Sequence, residues 1–154
     1  MKLVSPWVAL VFFSFGMCLV SCKSIQEMPE ITITAEEQNA FRATEGDTIT
    51  IASDKTEYEI IIIEPGFNFW LRSIARPEGY YSQSFLENRN RILVVEWNRR
   101  VTLPIQYDPN LYELQINYDW NVDYGYDVNY KLYNYFVYFQ RKYQQRLGPF
   151  VPRI

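Results

Sequence analysis

Between Tyr107 and Tyr143 the chain carries ten of its thirteen tyrosines, together with Trp120, Phe136 and Phe139. Rings at that density can stack on sugars or line a ligand groove, and Tyr118, Trp120, Tyr124 and Tyr126 are the candidate ligand-binding residues of the stretch. The same rings also pack as large apolar bodies with a wet hydroxyl, which suits a small domain short of aliphatic core. Inside the stretch, Asp119-x-Asn121-x-Asp123 places oxygen ligands at the alternate positions that begin a calcium loop. The rest of that pattern fails, because glycine falls at 125 instead of 124 and Tyr130 stands where a bidentate glutamate is required. Asp and Asn at this spacing also make turns by bonding their own backbone, so no metal site is expected. Glu87 and Glu96 would serve glycoside hydrolysis only if held ~5–9 Å apart. Nine residues of helix put them on one side only approximately, so no catalytic residue is assigned. The chain has no histidine, which removes the Ser-His and Cys-His dyads, the common zinc sets and the usual proton shuttle at neutral pH. Nor does any spacing bring Lys55, Lys131 or Lys142 to a serine. The expectation is a protein without cofactor that binds more readily than it catalyses.

The two cysteines, Cys18 and Cys22, lie at the end of an apolar run from Val8 to Val20 that follows Lys2. This is a signal-peptide plan. The run is interrupted by Ser14 and Gly16 and falls short of the ~20 residues that span a bilayer. Leu19-Val20-Ser21-Cys22 then resembles the bacterial lipoprotein box, whereas Met17 before Cys18 fits a small-residue requirement badly. That resemblance implies removal of residues 1–21 as a signal peptide and lipidation, palmitate included, at Cys22. The mature chain would keep no free thiol, so disulfides and thiolate chemistry go with it. Its charge would be −4 once Lys2 has left, and nucleic acid is not an expected partner, since phosphate binding needs a basic footprint. Lys23, not Asp, follows the cysteine, which by resemblance to Gram-negative sorting points to the outer membrane, facing the periplasm.

These residues need a frame, and 154 residues give room for one domain. Residues 22–30 read as a polar tether closed by Pro29, and residues 31–154 as a single α+β domain, a small antiparallel sheet packed against two helices. Ile31–Thr34 alternates as a short strand, and Glu36–Thr44 allows one or two helical turns. Asp47–Ile51 and Glu57–Glu64 are expected to pair as a hairpin, with the four isoleucines from Ile60 to Ile63 covered on both faces. Pro65-Gly66 ends that ladder, and Phe67, Phe69, Trp70 and Leu71 follow in a loop or short turn. Periodic Phe85, Leu86, Leu93 and Trp97 predict a helix over 83–101, opened by a Ser84/Glu87 capping box. Apolar residues at 112, 114 and 116 suggest a third strand over Leu111–Ile116. A second helix is expected over 127–145, with Asp127 as its N-cap and Leu132, Tyr135, Phe136, Phe139 and Tyr143 inward.

The segments Tyr80-Tyr81-Ser82-Gln83-Ser84-Phe85-Leu86-Glu87-Asn88-Arg89-Asn90, Glu96-Trp97-Asn98, Ile116-Asn117-Tyr118 and Asp123 to Tyr133 together resemble a family of small uncharacterised Bacteroidota lipoproteins, a domain of unknown function. That resemblance implies an envelope location and supplies neither an activity nor site residues. The expected function is therefore a lipid-anchored cell-envelope protein that binds or scaffolds another envelope component, with an envelope protein or a glycan as its partner. A glycan or peptidoglycan-binding module using coplanar surface rings is the alternative, and a carboxylate-based hydrolase follows behind it.

Overall fold

Thr34 caps the first helix and does not end a strand. Its side chain accepts from the Glu37 N–H, and the Glu37 carboxylate accepts in return from the Thr34 N–H, a reciprocal capping box. The computed structural model describes residues 30–43, 48–52 and 59–154. The expected signal peptide, Cys22 and nearly all of the tether lie outside the described residues, as do the side chains of Ile60 to Ile63. Four helices follow in order: α1 (Ala35–Arg42), α2 (Phe67–Ser73), α3 (Gln83–Val101) and α4 (Gly125–Lys142). Between α1 and α2, β1 (Thr48–Ala52) pairs with β2 (Glu59–Ile63) in antiparallel register from Thr48↔Ile63 to Ala52↔Glu59.

The α+β expectation is corrected: the fold is helical. Strand pairing among the described residues is confined to that two-stranded ribbon, and the core is made by helix on helix. A single ribbon has too little face to carry a core of its own. Leu111–Ile116 is irregular, and Asn98 explains why. Its side-chain amide donates to the Ile116 carbonyl at 2.9 Å while its oxygen accepts from the Ile116 N–H at 2.8 Å, which satisfies the backbone as a neighbouring strand would. The apolar alternation fails there too, since Tyr112 is buried while Leu114 is 77% exposed.

α4 is the axis of the core. From Asn134 to Arg141 every residue is buried, as in a helix surrounded on all sides. Tyr138 touches Phe41 of α1 and Phe67 and Trp70 of α2, while Trp97 of α3 meets Phe136 and Phe139. The aromatic run after Pro65, expected as a loop, is helix α2. Gly66 starts it with φ +83°, and a Cβ at that position would run into the Ala40 carbonyl oxygen, so the glycine serves close approach as well as the turn.

α3 and α4 run parallel. Gln83 reaches Asp123 where both helices begin, Asn90 bonds Asn129 further along, and Arg100 reaches Gln145 where they end. Residues 102–124 must therefore travel back along the pair. This crossover is held by the Trp97 indole N–H donating to the Leu114 carbonyl at 2.9 Å, by Asn98, and by Tyr118 donating to Asn129 Oδ1 at 2.7 Å. A buried ion pair closes the far end: Arg141 grips both carboxylate oxygens of Glu37, and its other N–H groups donate to the Pro152 and Thr32 carbonyls at 2.8 Å. Burial pushes the Glu37 carboxyl up, but the Arg141 hydrogen bond and charge, with the Thr34 N–H, outweigh it and hold the group below the usual carboxylate range.

Candidate functional site

At the beginning of α3 the end of the crossover leaves a surface cleft of about 310 Å³. Glu87, Asn88 and Arg91 line it from the helix, and Tyr118, Trp120, Asn121, Val122 and Asp123 from the crossover. The helix presents its three residues together because Arg91 stands four residues from Glu87 and three from Asn88, the spacings that bring helical side chains side by side.

The cap of α3 decides what Glu87 is free to do. Ser82, not Ser84, accepts from the Phe85 N–H, so the expected Ser84/Glu87 capping box is corrected. Glu87 Oε1 accepts instead from Gln83 Nε2 at 2.7 Å, and the same amide donates to Asp123 Oδ1 at 2.9 Å. One glutamine thereby ties the helix carboxylate to the crossover carboxylate. Asp119 Oδ1 accepts from both the backbone and the side-chain N–H of Asn121 at 2.9 Å, a local turn with Trp120 at its apex. That is the use of the Asp119-x-Asn121-x-Asp123 motif, and among the described residues no group of three His, Cys, Asp or Glu stands together as a metal site.

The four candidate rings do not share one face. Trp120 is 59% exposed, with the Arg91 guanidinium 5.2 Å from its ring centroid. Tyr118 is half-buried and also lines the cleft. Burial first, then the nearby Glu87 and Tyr124, pushes its phenol up to about 12, so it stays neutral as a donor to Asn129. Tyr124 is buried beside it, ring centroids 5.0 Å apart, and its hydroxyl accepts from the Asp119 N–H at 2.9 Å. Tyr126 lies away from the cleft, stacked on Tyr130, its hydroxyl accepting from the Gly79 N–H at 2.6 Å. The structure thus brings Tyr118 and Trp120 together, sets Tyr124 beneath them, and gives Tyr126 to another contact.

Glu96 is not part of this site. It bridges Arg99 and Arg100, each at 2.8 Å, about 13 Å along the helix axis from Glu87, beyond the separation a carboxylate pair needs. The Arg99 hydrogen bond, opposed by partial burial and aided by Arg100, holds its carboxyl below the usual range. Reasoning from sequence missed Arg91, Asn88 and Gln83. The Glu87/Arg91 spacing of four was a usable sign of one helix face, whereas nothing local signals the Gln83 contact across forty residues.

A model of a family of unknown function (DUF6146) matches residues 10–151. No curated protein and no solved structure matches the chain.

Proposed function

The chain belongs to this family of unknown function, and we propose that it is a lipid-anchored cell-envelope protein that binds or scaffolds another envelope component without transforming it. The observation that carries the binding role is Trp120, a large ring left 59% exposed beside a cleft in a domain that otherwise buries its tryptophans. The cleft offers one arginine, two carboxylates and two amides around that ring, which are the groups that orient a ligand. The expected Glu87–Glu96 pair does not supply the two convergent carboxylates a hydrolase needs, and the two that do meet in the cleft, Glu87 and Asp123, are both engaged as acceptors of the one Gln83 amide.

The anchor rests on Leu19-Val20-Ser21-Cys22 after the apolar run, and the outer membrane, periplasmic side, on Lys23 after the cysteine. Several acyl chains on one cysteine would hold it there, since a single chain anchors only marginally. Among the described residues no helix is long and apolar enough to cross a membrane. The geometry suits a tether: Thr32 is gripped by Arg141 in the last turn of α4, while the cleft lies at the first turn, about 27 Å away along an 18-residue helix. A ligand site would then face away from the lipid. Incorporation of labelled palmitate and detergent-phase partitioning test the anchor. The wild-type chain should label and partition, and Cys22→Ser should do neither while keeping its circular dichroism. A Cys22→Ser protein still in the membrane fraction would sink the lipoprotein reading.

A further inference from the structure

We infer that the cleft beside Trp120 is a subsite for a neutral saccharide, its ring face laid on the indole and its hydroxyls bonded by Glu87, Asn88, Asn121 and Arg91. The inference deepens the binding role above and does not depend on the lipid anchor.

The ring comes first. An exposed indole costs the folded state the burial it forgoes, yet this one is fixed on both sides. The Asp119–Asn121 turn holds the backbone around it, and the Arg91 guanidinium stands 5.2 Å from its ring centroid on the cleft side. The apolar C–H face of a pyranose matches such a surface, and stacking on an aromatic side chain is tolerant of the details beneath.

The rim then selects among chemistries. Glu87 spends one oxygen on Gln83, and a carboxylate has about four lone-pair sites, so acceptor capacity remains for a ligand hydroxyl. Asn88 and Asn121 each spend one amide N–H, on the Ser84 carbonyl and on Asp119 Oδ1, and keep the other N–H and the oxygen for a ligand, while Arg91 only donates. Hydroxyl groups, donor and acceptor at once, fit this alternation. The lining sets two carboxylates, Glu87 and Asp123, against one arginine, which disfavours an anionic ligand, and a bulky apolar side chain finds only Val122 as aliphatic lining. Among uncharged ligands, the class that matches ring and rim together is rich in hydroxyls and flat on one face.

The scaffold agrees with this. Residues 102–124 form neither helix nor strand, although they are tied down at Leu114, Ile116, Tyr118 and Asp119. Irregular segments of that length in small domains are uncommon and usually functional. This one ends by building the cleft.

The test is titration of the full chain in detergent micelles with two neutral trisaccharides, one of glucose and one of N-acetylglucosamine, and with trialanine as the peptide arm. Binding is read by calorimetry and by tryptophan fluorescence. At least one trisaccharide should give a saturable response, and Trp120→Ala and Glu87→Gln should each weaken it by roughly tenfold or more with the melting midpoint unchanged. Trp120→Phe should restore part of the loss, because a smaller ring still stacks. Saturation by trialanine alone would replace the sugar by a peptide and leave the binding role standing. No saturable response from either trisaccharide, or a sugar response that survives Trp120→Ala, overturns the proposal.

Discussion

Two successive stretches of this chain carry aromatic rings and use them in opposite ways. In α4, Tyr135, Phe136, Tyr138 and Phe139 are all buried, and Tyr138 alone touches Phe41, Phe67 and Trp70. In the crossover, Tyr118 is half-buried, Trp120 is 59% exposed, and Tyr124 at its end is 6% exposed. Tyrosine dominates both. What separates them is backbone: a helix surrounded on all sides must bury whatever it carries, whereas an irregular segment with a local Asp119 turn can hold one ring inward and the next outward.

The strongest attempt to break this contrast is Phe136→Ala. The residue is fully buried at the middle of α4, so truncation should cost about 3–5 kcal/mol, seen as a large fall in the midpoint of chemical unfolding. A cost under about 1 kcal/mol would show that α4 is not the axis of the core.

Next in size is Tyr124→Ala, which removes the ring beneath Tyr118 and the acceptor of the Asp119 N–H. A loss of about 2–3 kcal/mol is expected, together with weakened ligand response, because the same ring supports the cleft.

A smaller effect comes from pH. Glu37 titrates below its ordinary range when folded, so its contribution is fully present above the unfolded value and is lost as pH falls through the native one. Stability should therefore decline in acid, and Glu37→Gln, already weakened, should decline less steeply over the same window. On the alkaline side the sign reverses. Burial pushes Tyr133 up to about 12 and moves Tyr135 and Tyr138 up further, so these rings favour folding until pH rises past the unfolded tyrosine range. Tyrosinate absorbance from these three rings should appear only as the protein unfolds. Early ionisation of most tyrosines in folded protein would contradict their burial. Trp120→Ala is the smallest of the set, within about 0.5 kcal/mol of the native stability, since the ring faces water.

The contrast also explains what the sequence made legible. The span of α3 was readable because Leu86, Leu93 and Trp97 repeat at helical spacing and all face the core. α4 was visible for the same reason, but its start was misplaced: Asp127 lies inside the first turn, and Tyr124 occupies the cap. α2 was hidden because Pro65-Gly66 reads as a terminator, and only tertiary structure reveals that Gly66 lets the next helix pack on Ala40. The third strand was a false signal, since the Asn98 side chain pairs the backbone that alternation assigned to a sheet. At the site, Tyr118 and Trp120 were named from ring density alone. Arg91 and Gln83 needed the parallel arrangement of α3 and α4, which follows from a long crossover and leaves no periodicity of its own.

The division between core rings and surface ring is tested most directly by the indole N–H resonances in a heteronuclear NMR spectrum with a soluble paramagnetic agent. Trp70 is fully buried and Trp97 donates to the Leu114 carbonyl, whereas Trp120 faces solvent. Trp120 should broaden first and regain its intensity when a binding trisaccharide is added, with Trp70 and Trp97 sharp throughout. Equal broadening of all three, or a Trp120 signal protected before any ligand is present, would contradict that division.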